Sequence, residues 1–205
     1  MKNKRIIFAF FAAAFSLAAQ AQKGLAKLDL GYNIALPMGS FKNDVKDASY
    51  RGFDAKVLYG VSDKLSIGLG TGFQDFYQKY PRQVYKLSDG SDASAVLTNS
   101  VQTIPILATA KYNFTPAAAV QPYAALGVGG NLITYDQLLG EFGDQQSKFG
   151  FAARPEAGVY VPFKKGGQSG ISLGASYNIM PFKELGGSNL NNLGLHAGIS
   201  IPLRK

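Results

Sequence analysis

From residue 27 onward the chain alternates in twos. Apolar and polar residues exchange places through eight segments, and no period of 3.6 builds up anywhere, so each segment is confined to a strand with one apolar and one polar face. Segment 27–36 sets Leu28, Leu30, Tyr32, Ile34 and Leu36 against Lys27, Asp29, Gly31, Asn33 and Ala35. Segment 52–60 opposes Phe53, Ala55, Val57 and Tyr59 to Asp54, Lys56 and Leu58, and 65–77 opposes Leu65, Ile67, Leu69, Thr71 and Phe73 to Ser66, Gly68, Gly70, Gly72 and Gln74. Four more segments, 102–114, 149–161, 170–179 and 192–204, divide in the same way. Segment 122–135 is apolar on both faces, and its Leu126, Val128 and Leu132 are assigned to the apolar side. Pro105 falls inside the fourth segment, where its missing N–H predicts a bulge or a strand end.

The connections alternate too. Segments 37–51, 78–101, 136–148 and 180–191 are long and polar, whereas 61–64, 115–121 and 162–169 are short. Short turns at one end, long loops at the other and strands near ten residues predict an all-β, eight-stranded antiparallel up-and-down transmembrane β-barrel of a Gram-negative outer membrane. A soluble barrel or sandwich has the same periodicity. The composition of the polar face decides between them: it is rich in Gly, Ser and other small residues, as a crowded lumen requires, and the apolar face carries no charge across the inner stretch of any strand. Tyr59, Tyr77, Tyr112, Phe114 and Phe163 stand at strand ends, where interfacial aromatic girdles belong. Eleven of the 24 glycines (31, 68, 70, 72, 127, 129, 150, 158, 174, 194 and 198) fall on the lumen face, which makes room there for larger neighbours.

Residues 1–21 read as a signal peptide, with Lys2, Lys4 and Arg5 ahead of an apolar run and Ala19-Gln20-Ala21 as the cleavage site, so residues 22–205 form the barrel domain after Sec-type export. Cleavage near Ala21 takes three positive charges off a net +8, and the remaining excess is too mild and too dispersed for nucleic-acid binding. With no cysteine and one histidine, thiolate and His-rich metal centres are excluded, and no cofactor is expected.

The lumen face carries Asp29, Asp54, Lys56, Lys111, Arg154, Glu156 and, near the end, Arg204. Buried charges are costly unless paired, so these predict a cross-strand charge network centred on Arg154 and Glu156. At eight strands the interior is just wide enough for side chains to fill it. A plug is therefore expected in place of a conduction path. His196 raises the question of an enzyme, but it points into the lumen, and Ser200 on the same face is roughly 13 Å along the strand, beyond hydrogen-bond reach. Ser176 on the neighbouring strand is the other candidate partner.

Several motifs resemble the small porin-like, OmpA-type outer-membrane β-barrel family. They are Leu36-Pro37-Met38-Gly39-Ser40-Phe41, Tyr59-Gly60-Val61-Ser62-Asp63-Lys64-Leu65, and Gln121-Pro122-Tyr123 with Gly127-Val128-Gly129. In the last strand His196, Gly198, Ile201 and Leu203 resemble the assembly signal of such barrels, which implies the barrel-assembly machinery as a partner. The chain departs from that pattern by ending on Leu203-Arg204-Lys205 instead of an aromatic residue.

The function expected is non-enzymatic: an integral outer-membrane protein with a structural or surface-interaction role through four extracellular loops. A narrow channel for small solutes and a lipid A-modifying enzyme are the alternatives. In the second long loop Tyr77, Lys79, Tyr80, Arg82, Tyr85 and Lys86 interleave rings and cations, a pattern suited either to lipopolysaccharide phosphates or glycans or to a solvated hairpin. Asp136, Glu141 and Asp144 of the third loop match no calcium-loop spacing. Outer-membrane lipid, lipopolysaccharide and an external ligand of the loops are the remaining partners expected.

Overall fold

In the computed structural model, residues 25–86, 92–139, 142–164, 167–182 and 189–203 are described. The signal segment, Glu141 and Arg204 lie outside these residues. The alternating segments become β1 (Ala26–Pro37), β2 (Ser49–Gly60), β3 (Leu65–Lys79), β6 (Leu97–Asn113), β7 (Gln121–Leu139), β8 (Phe142–Pro162), β9 (Gly170–Asn178) and β10 (Asn192–Leu203). Each pairs antiparallel with its neighbour in this order, and β1 closes the ring by pairing with both β2 and β10, Leu30 standing opposite Ala55 on one side and Ile199 on the other. Closure leaves every spanning strand a partner on each side, so no sheet edge faces the apolar exterior. Among the described residues no helix is long and apolar enough to cross a membrane. The crossing is by strands.

The outer wall is apolar. Leu30, Phe53, Val57, Leu69, Ile106, Leu126, Phe151, Leu173 and Ile199 are each about half exposed, far more contiguous apolar surface than a water-soluble protein tolerates. Leu126, Val128 and Leu132 of β7 face outward with them, while Tyr123, Asn131 and Ile133 are buried inside.

Three details differ from the sequence reading. Pro105 causes neither a bulge nor an end: it stays opposite Asn131 of β7, and between β3 and β6 the pairs simply skip from Thr71–Ile106 to Gln74–Thr103 in unchanged register. The irregularity lies instead between β1 and β2, where the register shifts between Asn33 and Ala35. Segment 136–148 is no loop, because β7 and β8 stay paired up to Leu139 opposite Phe142. Its polar residues reported solvent, which a hairpin standing clear of the membrane shares with a loop. Segment 78–101 likewise contains its own two-stranded hairpin, β4 (Gln83–Lys86) with β5 (Asp92–Ala95).

The connection after β1 folds inward. A short 3-10 helix, Gly39–Asn43, carries Phe41, which is fully buried, as is Val45 just beyond it. Gly39 has a positive φ of 60°, a conformation that favours glycine at the bend from strand into helix. Outside contacts hold this segment: Met38 N donates to Asn191 O at 2.8 Å, Lys46 N to Gln78 Oε1 at 3.1 Å, and Tyr80 OH to Asp44 O at 3.2 Å.

Candidate functional site

The interior has two halves. Toward the short turns it is charged. Lys56 of β2 donates to Glu156 of β8 at 2.5 Å and lies 3.7 Å from Asp54, and Tyr123 of β7 donates to the other Glu156 oxygen at 3.1 Å. His196 of β10 completes the group, with Nε2 2.9 Å from Tyr123 OH and 3.4 Å from Glu156 Oε1. Nearer the turns Lys111 donates to Asp29 at 3.3 Å and sits 4.3 Å from the Tyr123 ring centroid, while Lys27 stacks over Tyr160 at 5.5 Å. Four strands therefore converge on one glutamate. A charge in so dry a space is tolerable because each of its oxygens has a partner.

Two glycines make this packing feasible. A Cβ on Gly174 would stand 2.7 Å from the His196 ring and 2.8 Å from a backbone carbonyl, and one on Gly31 would stand 2.6 Å from Asp54 Oδ1. The neighbouring strand thus leaves its surface bare where a large polar side chain lies down.

The expected Arg154–Glu156 centre is not formed. Both residues face the lumen, but they are two apart on one strand and project side by side about 7 Å apart, so each reaches a different partner. Arg154 Nε donates to Asn178 Oδ1 at 2.6 Å, and Asn178 continues to Asn192 at 2.7 Å. Among the other predicted lumen charges, Asp29, Asp54, Lys56 and Lys111 are buried inside. His196 takes Tyr123 and Glu156 as Nε2 partners, which leaves the candidate pairings with Ser176 and Ser200 unmade. Of the assembly-signal residues, His196 is buried in the lumen, Ile201 is exposed on the outer wall and Leu203 is half-buried.

The half toward the long connections combines that amide chain and buried Gln74, Thr103 and Asn131 with an apolar cluster, and the sequence reading missed the cluster. Phe41, Val45, Phe76, Val101, Ile133, Met180 and Leu190 form one buried cluster with Ala35, Leu107 and Ala152. Phe41 and Phe76 meet edge to face, with centroids 4.8 Å apart. The signal for part of it was present: Phe76, Val101 and Ile133 share parity with the lumen-facing residues of their own strands. Phe41, Val45 and Leu190 come from connections, where no periodicity marks a direction.

Two of the second-loop residues have partners outside the loop. Tyr77 is covered by Arg51, whose guanidinium carbon lies 5.1 Å from the ring centroid, and Tyr80 is tied to Asp44. Lys79 and Arg82 are exposed, while Tyr85 and Lys86 are placed by backbone alone, opposite Ala93 and Asp92. Among the described residues no cluster of metal-ligating side chains occurs.

A closed meander of eight strands, apolar outside and polar within, is the architecture of an integral outer-membrane protein. A model of the outer membrane protein beta-barrel domain matches residues 7–201, and the chain belongs to that family. Among solved structures it is similar to the outer membrane protein OprG from Pseudomonas aeruginosa, with 13% identity, a TM-score of 0.54 and coverage of 89% of this chain and 98% of that one. It is also similar to Neisserial surface protein A, at 15% identity and a TM-score of 0.52, over 86% of this chain and 95% of that chain. At such identities the likeness is one of fold. No curated protein sequence matches the chain.

Proposed function

We propose that this protein is a non-conducting outer-membrane barrel with a structural or surface-interaction role, whose long connections face the cell exterior and carry its specific contacts. One observation supports the closed lumen above the others. The interior cavities lined by Arg154, Glu156 and His196 are about 10 Å³ each, and the one beside Lys27, Asp29, Asn113 and Tyr160 is about 30 Å³. A single water needs roughly 10–15 Å³, so each of these spaces has room for one or two waters, which supports a filled interior. Asp29 Oδ1 and Asn113 Oδ1, which lack protein donors, suit water in the larger one.

The barrel interior also argues against chemistry on lipid. His196, the residue an acyl-transfer reading would need, is buried beside Tyr123 and Glu156 on the lumen side of its strand. Exposed Lys79 and Arg82 remain candidates for contact with lipopolysaccharide phosphates, and Ile201 and Leu203 for recognition during assembly.

Planar-bilayer recording of the purified protein tests the reading. No steady openings are expected; reproducible openings altered by Glu156→Ala or Arg154→Ala would establish the channel instead. Lipid A from expressing cells is expected to be unmodified, and a modification lost in His196→Ala would establish the enzyme. Mass spectrometry of the exported protein should find Gln22 as its first residue.

A further inference from the structure

A cavity much larger than those described in the lumen lies outside it. It is a cleft of about 460 Å³ on the outside of the barrel, lined by Asp47, Ser49, Tyr50, Arg51, Asp75 and Tyr77. This is within the range of small-molecule sites. Its floor is fixed before any ligand arrives. Asp75 Oδ2 accepts from Arg51 at 3.0 Å, Asp75 Oδ1 accepts from Ser100 at 2.9 Å, and the Asp75 carbonyl accepts from Ser49 Oγ at 2.5 Å. The Tyr77 ring supports the guanidinium from below, and Tyr32 OH donates to the carbonyl of Tyr50.

Height is set by register. On the outer wall Phe53 of β2 and Phe73 of β3 stack with centroids 5.9 Å apart, and Arg51–Asp75 is the next outward pair, one two-residue step or about 7 Å further along. It is the first charged pair beyond the apolar belt. Such a position, where an apolar belt gives way to charge and tyrosine, suits the headgroup region.

The chemistry selects among headgroups. Among the lining side chains the carboxylates of Asp47 and Asp75 stand against one guanidinium, so the lining itself offers a phosphate no net positive charge. Tyr50 is exposed, Tyr77 stays partly exposed beside the guanidinium stacked on it, and Arg51 has N–H donors beyond the one spent on Asp75. Rings to lie against a sugar face, with a donor and an acceptor for its hydroxyls, suit an uncharged pyranose. We propose that the Arg51–Tyr77 cleft binds an uncharged sugar unit of an outer-leaflet glycolipid headgroup. The proposal rests on the reading that the long connections are external.

The test uses the full protein in detergent micelles with two probes, intact lipopolysaccharide and its core oligosaccharide freed of lipid and phosphate. Both are expected to bind in calorimetry. Tyr77→Ala and Arg51→Ala each weaken binding about tenfold, while Tyr77→Phe, which keeps the ring, stays within about twofold. Binding lost on removing phosphate, or unchanged in Tyr77→Ala, would overturn the site; binding of the free oligosaccharide but not of lipopolysaccharide would overturn its membrane source. Heat-modifiable migration on gels verifies that each variant is folded. Because the chain has no cysteine, labelling Ser94→Cys on intact cells with an impermeant maleimide tests orientation separately. Unlabelled cells would refute the external reading, whereas labelled cells with no sugar binding would refute the cleft alone.

Discussion

The two halves of the lumen solve one packing problem by opposite means. Toward the short turns, charged and phenolic side chains from four strands meet around Glu156, and glycines such as Gly31 and Gly174 make room for them. Toward the long connections the same cylinder holds a hydrophobic cluster of Phe41, Phe76, Ile133 and their neighbours, set among neutral amides such as Asn131, Asn178 and Asn192. The charged half is specified by partners and fails when one is removed. The apolar cluster is specified by shape, and each buried phenylalanine contributes roughly 1.5–3 kcal/mol through burial.

Single substitutions should expose this difference, and the largest effect is expected at Glu156. Glu156→Ala leaves Lys56 buried without its closest partner and should cost about 4 kcal/mol, read from urea unfolding in lipid vesicles. Replacing both at once, Lys56→Met with Glu156→Leu, should recover only part of that loss: the apolar pair needs no partner, but Tyr123, His196 and Asp54 still lose theirs. If the double variant is as unstable as the single one, the charged half depends on more than pairing.

In the other half, Phe76→Ala opens a cavity against Phe41 and should cost about 3 kcal/mol in the same assay. Combining it with Phe41→Ala should fall short of additivity by about 1 kcal/mol, since the two rings touch. Additive losses would mean that the inward-folded connection is not part of the core.

Gly174→Ala tests the boundary between the two strategies. A methyl there meets the His196 ring and a backbone carbonyl that cannot move aside, so about 2 kcal/mol should be lost. The His196→Ala background should restore only part of this, because the carbonyl contact remains. The smallest effect is expected outside the lumen. Arg51→Ala breaks an ion pair whose arginine is 62% exposed, and its stability cost should be about 0.5 kcal/mol or less. A large loss at Arg51 would show the cleft to be a structural joint.

Much of this molecule was legible in the chain because a strand's facing is a local property. Alternation placed Asp29, Asp54, Lys56, Lys111, Glu156 and His196 inside, and the Leu126–Val128 set outside, with no knowledge of which strand lay beside which. Partners are another matter. Arg154 and Glu156 are neighbours in sequence, yet Glu156 binds Lys56, one hundred residues away, and Arg154 turns to Asn178. Those choices depend on the stagger at which the ring closes, which sets the height of each strand's side chains against those across the lumen. The apolar cluster shows the same division. Phe76, Val101 and Ile133 could be read from parity, whereas Phe41 and Val45 reach the interior only because hydrogen bonds to Gln78, Tyr80 and Asn191 fold a connection back into the barrel. By itself, then, the sequence determined the strands, their two faces and the membrane they suit, since period 2 needs only adjacent residues. Tertiary structure alone decided which charges pair and which connection residues join the interior cluster, because both depend on distances between segments far apart in the chain.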